Sequence, residues 1–137
     1  MRYCCLLVFL FLPYVSFASV QIAEIAWMGS IDSPNHEWIE LHNTGSGVSL
    51  DGWILHDANN LTIELSGTVA ASVRIVLERT SDASAAGSAF LLYTGALNNS
   101  GATLVLRNAE GVVVDQVDGG DGWENIGGNN ETKETAQ

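Results

Sequence analysis

Short apolar runs separated by turn residues recur about every ten positions along this chain, and this spacing limits the possible folds more than any other feature. Glycine, asparagine, aspartate and serine stand between the runs, and no stretch keeps the period of an amphipathic helix. The pattern predicts an all-β sandwich or barrel. The predicted strands cover residues 20–28, 36–43, 48–57, 61–65, 73–79, 90–93, 102–107 and 112–117.

Alternation within the runs predicts which side chains face the core, because successive residues of a strand point to opposite faces of the sheet. Ile39 and Leu41 share one face of their run in this way. The first run changes phase between Ile22 and Ile25, which predicts a β-bulge there. The other predicted core positions are Trp53, Leu55, Leu61, Ile63, Leu65, Val73, Ile75, Leu77, Leu104 and Leu106.

Residues 1–18 have the order of charge and apolarity that is typical of a secretory signal peptide. Arg2 supplies a positive charge, an apolar run covers 6–12, and a small-x-small triplet ends at Ala18. The apolar run is too short to span a bilayer as a helix. We therefore expect cleavage after Ala18, and a mature protein that is secreted, periplasmic or held at the cell surface.

Cysteine position and charge balance exclude several classes of function. Cys4 and Cys5 both lie in the predicted signal peptide, so the mature chain is expected to contain no disulfide and no thiolate site. The chain has 5 Lys+Arg against 16 Asp+Glu, a formal net charge of −11. An acidic surface repels phosphates, so we expect no direct binding of nucleic acid and no docking on anionic lipid.

Two groups of possible metal ligands stand out, and for each the surface interpretation is favoured. Asp115, Asp118 and Asp121 recur every third residue beside two glycines, which suits calcium chemistry but does not match the spacing of an EF-hand loop. His42 and His56 fall on neighbouring predicted strands, where they could bind zinc with a carboxylate, but no zinc-site spacing supports this. The sequence predicts no metal and no cofactor.

No catalytic constellation emerges from the residues. Glu37 and Glu40 lie three apart on a predicted strand, so their side chains point to opposite faces and do not form an acid–base pair. The chain has no Gly-x-Ser-x-Gly elbow and no glycine-rich nucleotide loop between a strand and a helix. We predict that the protein is not an enzyme and has no catalytic residue.

The tryptophans supply the candidate binding residues. Trp53 is predicted to pack inside. Trp38 points to the opposite face of its strand from Ile39 and is the best candidate for a partly exposed ring. Trp27 flanks a predicted loop and is the second candidate. Exposed rings stack on sugars, so Trp27 and Trp38 are the predicted binding residues, with packing in the core as the alternative.

Two motifs in combination resemble the bacterial, secreted branch of the lamin tail domain family. EWIELHN at 37–43 is followed by LDGWIL at 50–55, and the similarity extends over about residues 20–126. The resemblance implies an immunoglobulin-like β-sandwich of about eight or nine short strands. It also implies secreted or surface-associated chains that accompany nucleases, other hydrolases or further sandwich modules, and it implies no catalytic residue.

The sequence as a whole predicts a signal peptide at 1–18, a lamin-tail-like domain at 19–127 and a flexible tail or linker at 128–137. The expected function is a non-enzymatic, secreted or cell-surface interaction module that binds a protein or a cell-envelope component. Two alternatives stay open. One is an accessory domain of a secreted hydrolase or nuclease whose catalytic part is absent here, and the other is a carbohydrate-binding module.

Overall fold

The computed structural model describes residues 20–136, which form an all-β immunoglobulin-like sandwich. The predicted signal peptide at 1–18 lies outside the described residues. A short 3₁₀ helix, Asp121–Trp123, follows the last strand. The strands are β1 (Val20–Ala26), β2 (Trp38–Asn43), β3 (Val48–Ser49), β4 (Ile54–His56), β5 (Thr62–Glu64), β6 (Thr68–Val69), β7 (Arg74–Arg79), β8 (Leu91–Tyr93), β9 (Thr103–Arg107) and β10 (Val113–Asp118).

Two four-stranded sheets make up the sandwich. The first sheet has the order β1-β2-β7-β8 and the second has the order β10-β9-β4-β5, while β3 and β6 form a small third sheet. All pairs are antiparallel except β7 with β8. The sandwich therefore has four edge strands. β1 and β10 lie together on one side, and β5 and β8 lie together on the other.

Each predicted run contains at least one strand, but their limits differ. The run at 48–57 splits into β3 and β4 because Asp51 and Gly52 form a turn inside it, with Gly52 at a φ of 77°. β6 was not predicted, since two residues carry no readable alternation. The predicted bulge is confirmed, because the register of β1 against β2 shifts between Ile22 and Glu24.

The core lies between the two sheets and includes the residues that alternation selects, together with others that it does not select, such as Leu50, Leu97 and Trp123. Ile39, Leu41 and Leu77 of the first sheet are fully buried, as are Leu55, Leu104 and Leu106 of the second. Val73 is the exception at 40% exposed, because β7 starts one residue later and the side chain belongs to the preceding turn.

Asn43 fixes the turn that follows β2. Its side chain is fully buried at the end of β2. Its Nδ2 donates to the backbone carbonyls of Ser46 (2.7 Å), Val69 (3.2 Å) and Ala70 (3.0 Å). Its Oδ1 accepts from the N–H of Gly45 at 3.0 Å. A buried amide with every group satisfied fixes the β2–β3 turn against β6.

The segment predicted to be a flexible tail instead folds back onto β1. Residues 128–136, which we call the C-terminal strap, form an isolated bridge between Asn129 and Glu134. The strap then pairs with β1, where Ile25 and Ala136 exchange hydrogen bonds of 2.9 and 3.0 Å. Ala136 is buried. The polar composition does not reveal this docking, because the pairing with Ile25 is made by backbone groups.

Candidate interaction surface

A groove of about 440 Å³ lies between the edge strands β5 and β8. The groove joins the two sheets, since β5 ends the second sheet and β8 ends the first. Neither strand has a strand partner on its groove side within residues 20–136. Unpaired strand edges are the usual places at which a sheet accepts a further strand. The lining residues are Thr62, Ile63, Glu64, Leu91, Leu92, Tyr93 and Thr94.

The backbone of β5 offers hydrogen-bonding groups to the groove. The carbonyl of Leu61 accepts a bond at one end of the β4–β5 ladder (3.0 Å), and the N–H of Leu65 donates one at the other end (2.8 Å). Alternate residues of an antiparallel strand bond to the same neighbour. Thr62 and Glu64 have the opposite parity, so their backbone N–H and C=O groups point away from β4, at the free edge.

The two edges run in opposite directions along the groove. At one end Gly67 lies against the ring of Phe90, the residue before β8, and at the other end Gly95 lies against Leu61. Both glycines have positive φ values, 96° and 111°, and a side-chain carbon on either would come to 3.0 Å from its neighbour. The glycines thus allow the edges to meet at the ends of the groove, while its middle stays open.

The groove carries leucine side chains and one free negative charge. Leu92 is 50% exposed, and Leu91 is half-buried beside it. Glu64 is exposed on the outer face of β5. The ion pairs among residues 20–136 are Arg74–Glu40 and Arg79–Glu37, so Glu64 belongs to none. Sequence alternation places Glu64 and Thr62 outward, but an edge position becomes visible only with the strand order.

A second concavity, of about 510 Å³, lies on the first sheet and is the weaker candidate for a binding site. Ala23, Glu24, Glu40 and Arg74 line it. Its polar groups already have partners inside the protein: Glu40 pairs with Arg74, and Glu24 accepts a hydrogen bond from Thr135 of the strap. Because both carboxylates there already have partners inside the protein, the β5–β8 groove is the better candidate.

The structure corrects one predicted binding residue and retains the other. Trp27 is only 5% exposed, and its ring stacks on Trp123 at 5.9 Å with an interplanar angle of 11°. The prediction of an exposed Trp27 is therefore wrong, because the chain after β10 returns to cover it. Trp38 is half-buried at the start of β2, as its parity predicts, and it lies outside the groove. Its role in binding stays a prediction.

The aspartates and histidines considered as possible metal ligands are placed apart or make other contacts. Oδ2 of Asp115 accepts from the N–H of Ile22 at 2.7 Å, and Oδ1 of Asp118 accepts from Thr103 at 3.1 Å. His42 lies on β2 and His56 on β4, in different sheets, so they are not on neighbouring strands as predicted. Within residues 20–136 no three His, Cys, Asp or Glu side chains are grouped to hold a metal ion.

The two glutamates near the start of β2 separate as their spacing predicts. Glu40 pairs with Arg74 on the sheet surface. Glu37 is buried, where it pairs with Arg79 at 3.0 Å and accepts from the N–H of Leu97 at 2.8 Å. Burial raises the pKa of Glu37, while the Leu97 hydrogen bond and Arg79 act in the opposite direction. Both carboxylates are thus held by structural partners.

Comparison with known proteins agrees with this architecture. A family model described as Lamin Tail Domain matches residues 16–121. The match therefore covers the sandwich from β1 through β10 and leaves out the C-terminal strap. A search of the curated proteins finds no match. Within residues 20–136 there is no helix of the length and apolarity needed to cross a membrane.

Proposed function

The chain belongs to the lamin tail domain family, and from this premise we propose that it is a non-enzymatic interaction module that binds a protein or cell-envelope component through the β5–β8 groove. The family is an immunoglobulin-like domain, generally non-catalytic. The proposal places the protein in the bacterial, secreted branch, exported by the segment at 1–18 to the cell surface, periplasm or medium. It includes no cofactor and no direct contact with nucleic acid.

The observation that carries the proposal is the contrast among the four edges. The β1 edge is covered by the C-terminal strap and by the Asp115 carboxylate. β10 contacts β1 on that same side. β5 and β8 flank an open groove with an exposed leucine between them. Natural sandwiches protect edges that have no function, so an open pair of edges favours a binding role.

The test is cross-linking from single cysteines, because the described residues contain none of their own. Leu92→Cys places a photo-activated cross-linker in the groove, and Val112→Cys, at 59% exposed, places the same label beside the β10 edge. Labelled protein is incubated with the envelope and medium of its source. We expect adducts of one defined mass from position 92 and none from position 112. Equal labelling at both positions, or no adduct at 92, contradicts the proposal.

The half-buried ring of Trp38 favours a second candidate, carbohydrate binding. Its exposed part could stack on a sugar face. Tryptophan fluorescence titrated with a panel of glycans and murein fragments tests this, with Trp38→Phe as the matched variant. A quench that disappears in the variant supports it, and a flat response across the panel eliminates it. A hydrolase or nuclease recovered as the position 92 adduct would instead favour the accessory-domain alternative.

A further inference from the structure

From the free edge of β5 we infer that the groove binds an extended partner segment that pairs antiparallel with β5 and alternates cationic or polar with apolar side chains. This inference rests on the proposed function and names the chemistry of the partner. It follows from three properties of the groove: its free backbone groups, its leucine side chains and its unpaired carboxylate.

The backbone groups fix how the segment pairs. Thr62 and Glu64 each direct one N–H and one C=O away from β4, so a partner strand gains four backbone hydrogen bonds over three residues. The edge is short, which limits the affinity that main-chain bonds alone provide. Side-chain contacts must therefore supply selectivity.

The inner face of the segment needs an apolar side chain. Ile63 points into the core, so the partner residue opposite it points the same way, toward the first sheet. Leu91 of β8, which pairs with the core residue Leu77 and is half-buried, lines that side of the groove. A β-branched or leucine side chain there would cover the exposed part of Leu91, which otherwise stays in water.

The outer face of the segment needs a positive charge. The partner residue opposite Glu64 shares the solvent-facing side of the second sheet with it. Glu64 has no ion-pair partner among the described residues, and the chain carries a formal net charge of −11. An acidic segment would be repelled both locally and by the whole protein. Lysine or arginine opposite Glu64 and a polar residue opposite Thr62 complete the pattern.

The experiment titrates the purified protein with a synthetic peptide of sequence Thr-Val-Lys-Val-Thr-Val-Lys, followed by amide NMR. We expect saturable shifts of the Thr62 and Glu64 amides and slower hydrogen exchange at both. A peptide with glutamate in place of lysine, and one of the same composition without alternation, are the controls. We expect each control to bind at least about tenfold more weakly at low salt.

Two variants separate backbone pairing from charge. Thr62→Pro removes an outward N–H that β4 does not use, so it should abolish the shifts while leaving the fold intact. Glu64→Lys should weaken the lysine peptide about fivefold to tenfold, whereas Glu110→Lys, the same charge change in the exposed β9–β10 turn, should change its affinity less than twofold.

Each result bears on the inference or on the proposed function separately. Peptide shifts at β1 or β10 overturn the assignment to β5, and equal affinity for the lysine and glutamate peptides overturns the cationic pattern. If no peptide binds while the position 92 cross-linker still captures a partner, the extended-segment inference fails and the interaction function stands. If both experiments are negative, both fail.

Discussion

Each side of this sandwich has a pair of edge strands. The edges are covered on one side and open on the other. On the closed side, Asp115 of β10 accepts the N–H of Ile22 at the β1 bulge, and the C-terminal strap pairs with Ile25 further along. On the open side, β5 and β8 meet only at the ends of their groove. The sheet architecture does not impose this difference. Side chains and added chain close one side, and their absence leaves the other side available.

The closed side should therefore carry much more of the stability. Trp123 is fully buried, stacks on Trp27, and donates its Nε1–H to the Asn98 carbonyl at 2.8 Å. We expect Trp123→Ala to lower the free energy of unfolding by about 3 to 5 kcal/mol, as large-to-small core substitutions do. Urea denaturation followed by circular dichroism measures this. The control is Trp38→Ala, whose half-buried ring should cost less than half as much, and equal losses would contradict the asymmetry.

Deletion of the C-terminal strap tests the contrast between the covered and open edges at β1 alone. Deletion of residues 129–137 removes both hydrogen bonds between Ile25 and Ala136 and exposes the β1 edge. We expect a loss of about 1 to 2 kcal/mol and faster hydrogen exchange at the Ile25 amide.

The matched change on the open side is Thr62→Pro, which should alter stability by less than about 0.5 kcal/mol, because that N–H has no partner to lose. Unchanged exchange at Ile25 after the deletion would show that the strap does not protect the edge.

On the open side, the sequence predicts the strands better than it predicts the groove between them. Alternation identifies Ile63 as core and Glu64 as exposed, and the structure agrees. That β5 is an edge depends on strand order, a long-range property that no local pattern encodes. The ends of the groove lie where Gly67 and Gly95 allow the two edges to approach closely.

The closed side shows a different limit of sequence reasoning. Trp27 flanks a predicted loop, a position that favours an exposed ring. In the structure Trp123, about a hundred residues later, covers it. The strap resembles a frayed end by composition, yet its backbone pairs with β1. Local pattern predicts the faces of strands, whereas contacts that close a sheet edge come from distant backbone and need the fold.

Each side also has a hydrogen bond from a backbone N–H to a carboxylate. We expect the contribution of the open-side hydrogen bond to stability to depend on pH. Oδ1 of Asp51 accepts from Gly67 at 2.8 Å, at the end of the groove where Gly67 meets Phe90. This bond, with a smaller contribution from Ser49, lowers the pKa of Asp51 below its usual value. The ionised form is thus favoured in the folded protein.

The stability that Asp51 adds is therefore present above the ordinary aspartate pKa of about 4 and is lost as pH falls through the lower folded value. Asp51→Asn keeps an acceptor for Gly67 but removes the charge, so its deficit relative to the native chain should be small near neutral pH and vanish once pH falls below the folded pKa of Asp51. Urea midpoints across this range measure the difference, with Glu110→Gln as the exposed control. A deficit that is constant with pH would mean that the charge of Asp51 contributes nothing to stability at this end of the groove.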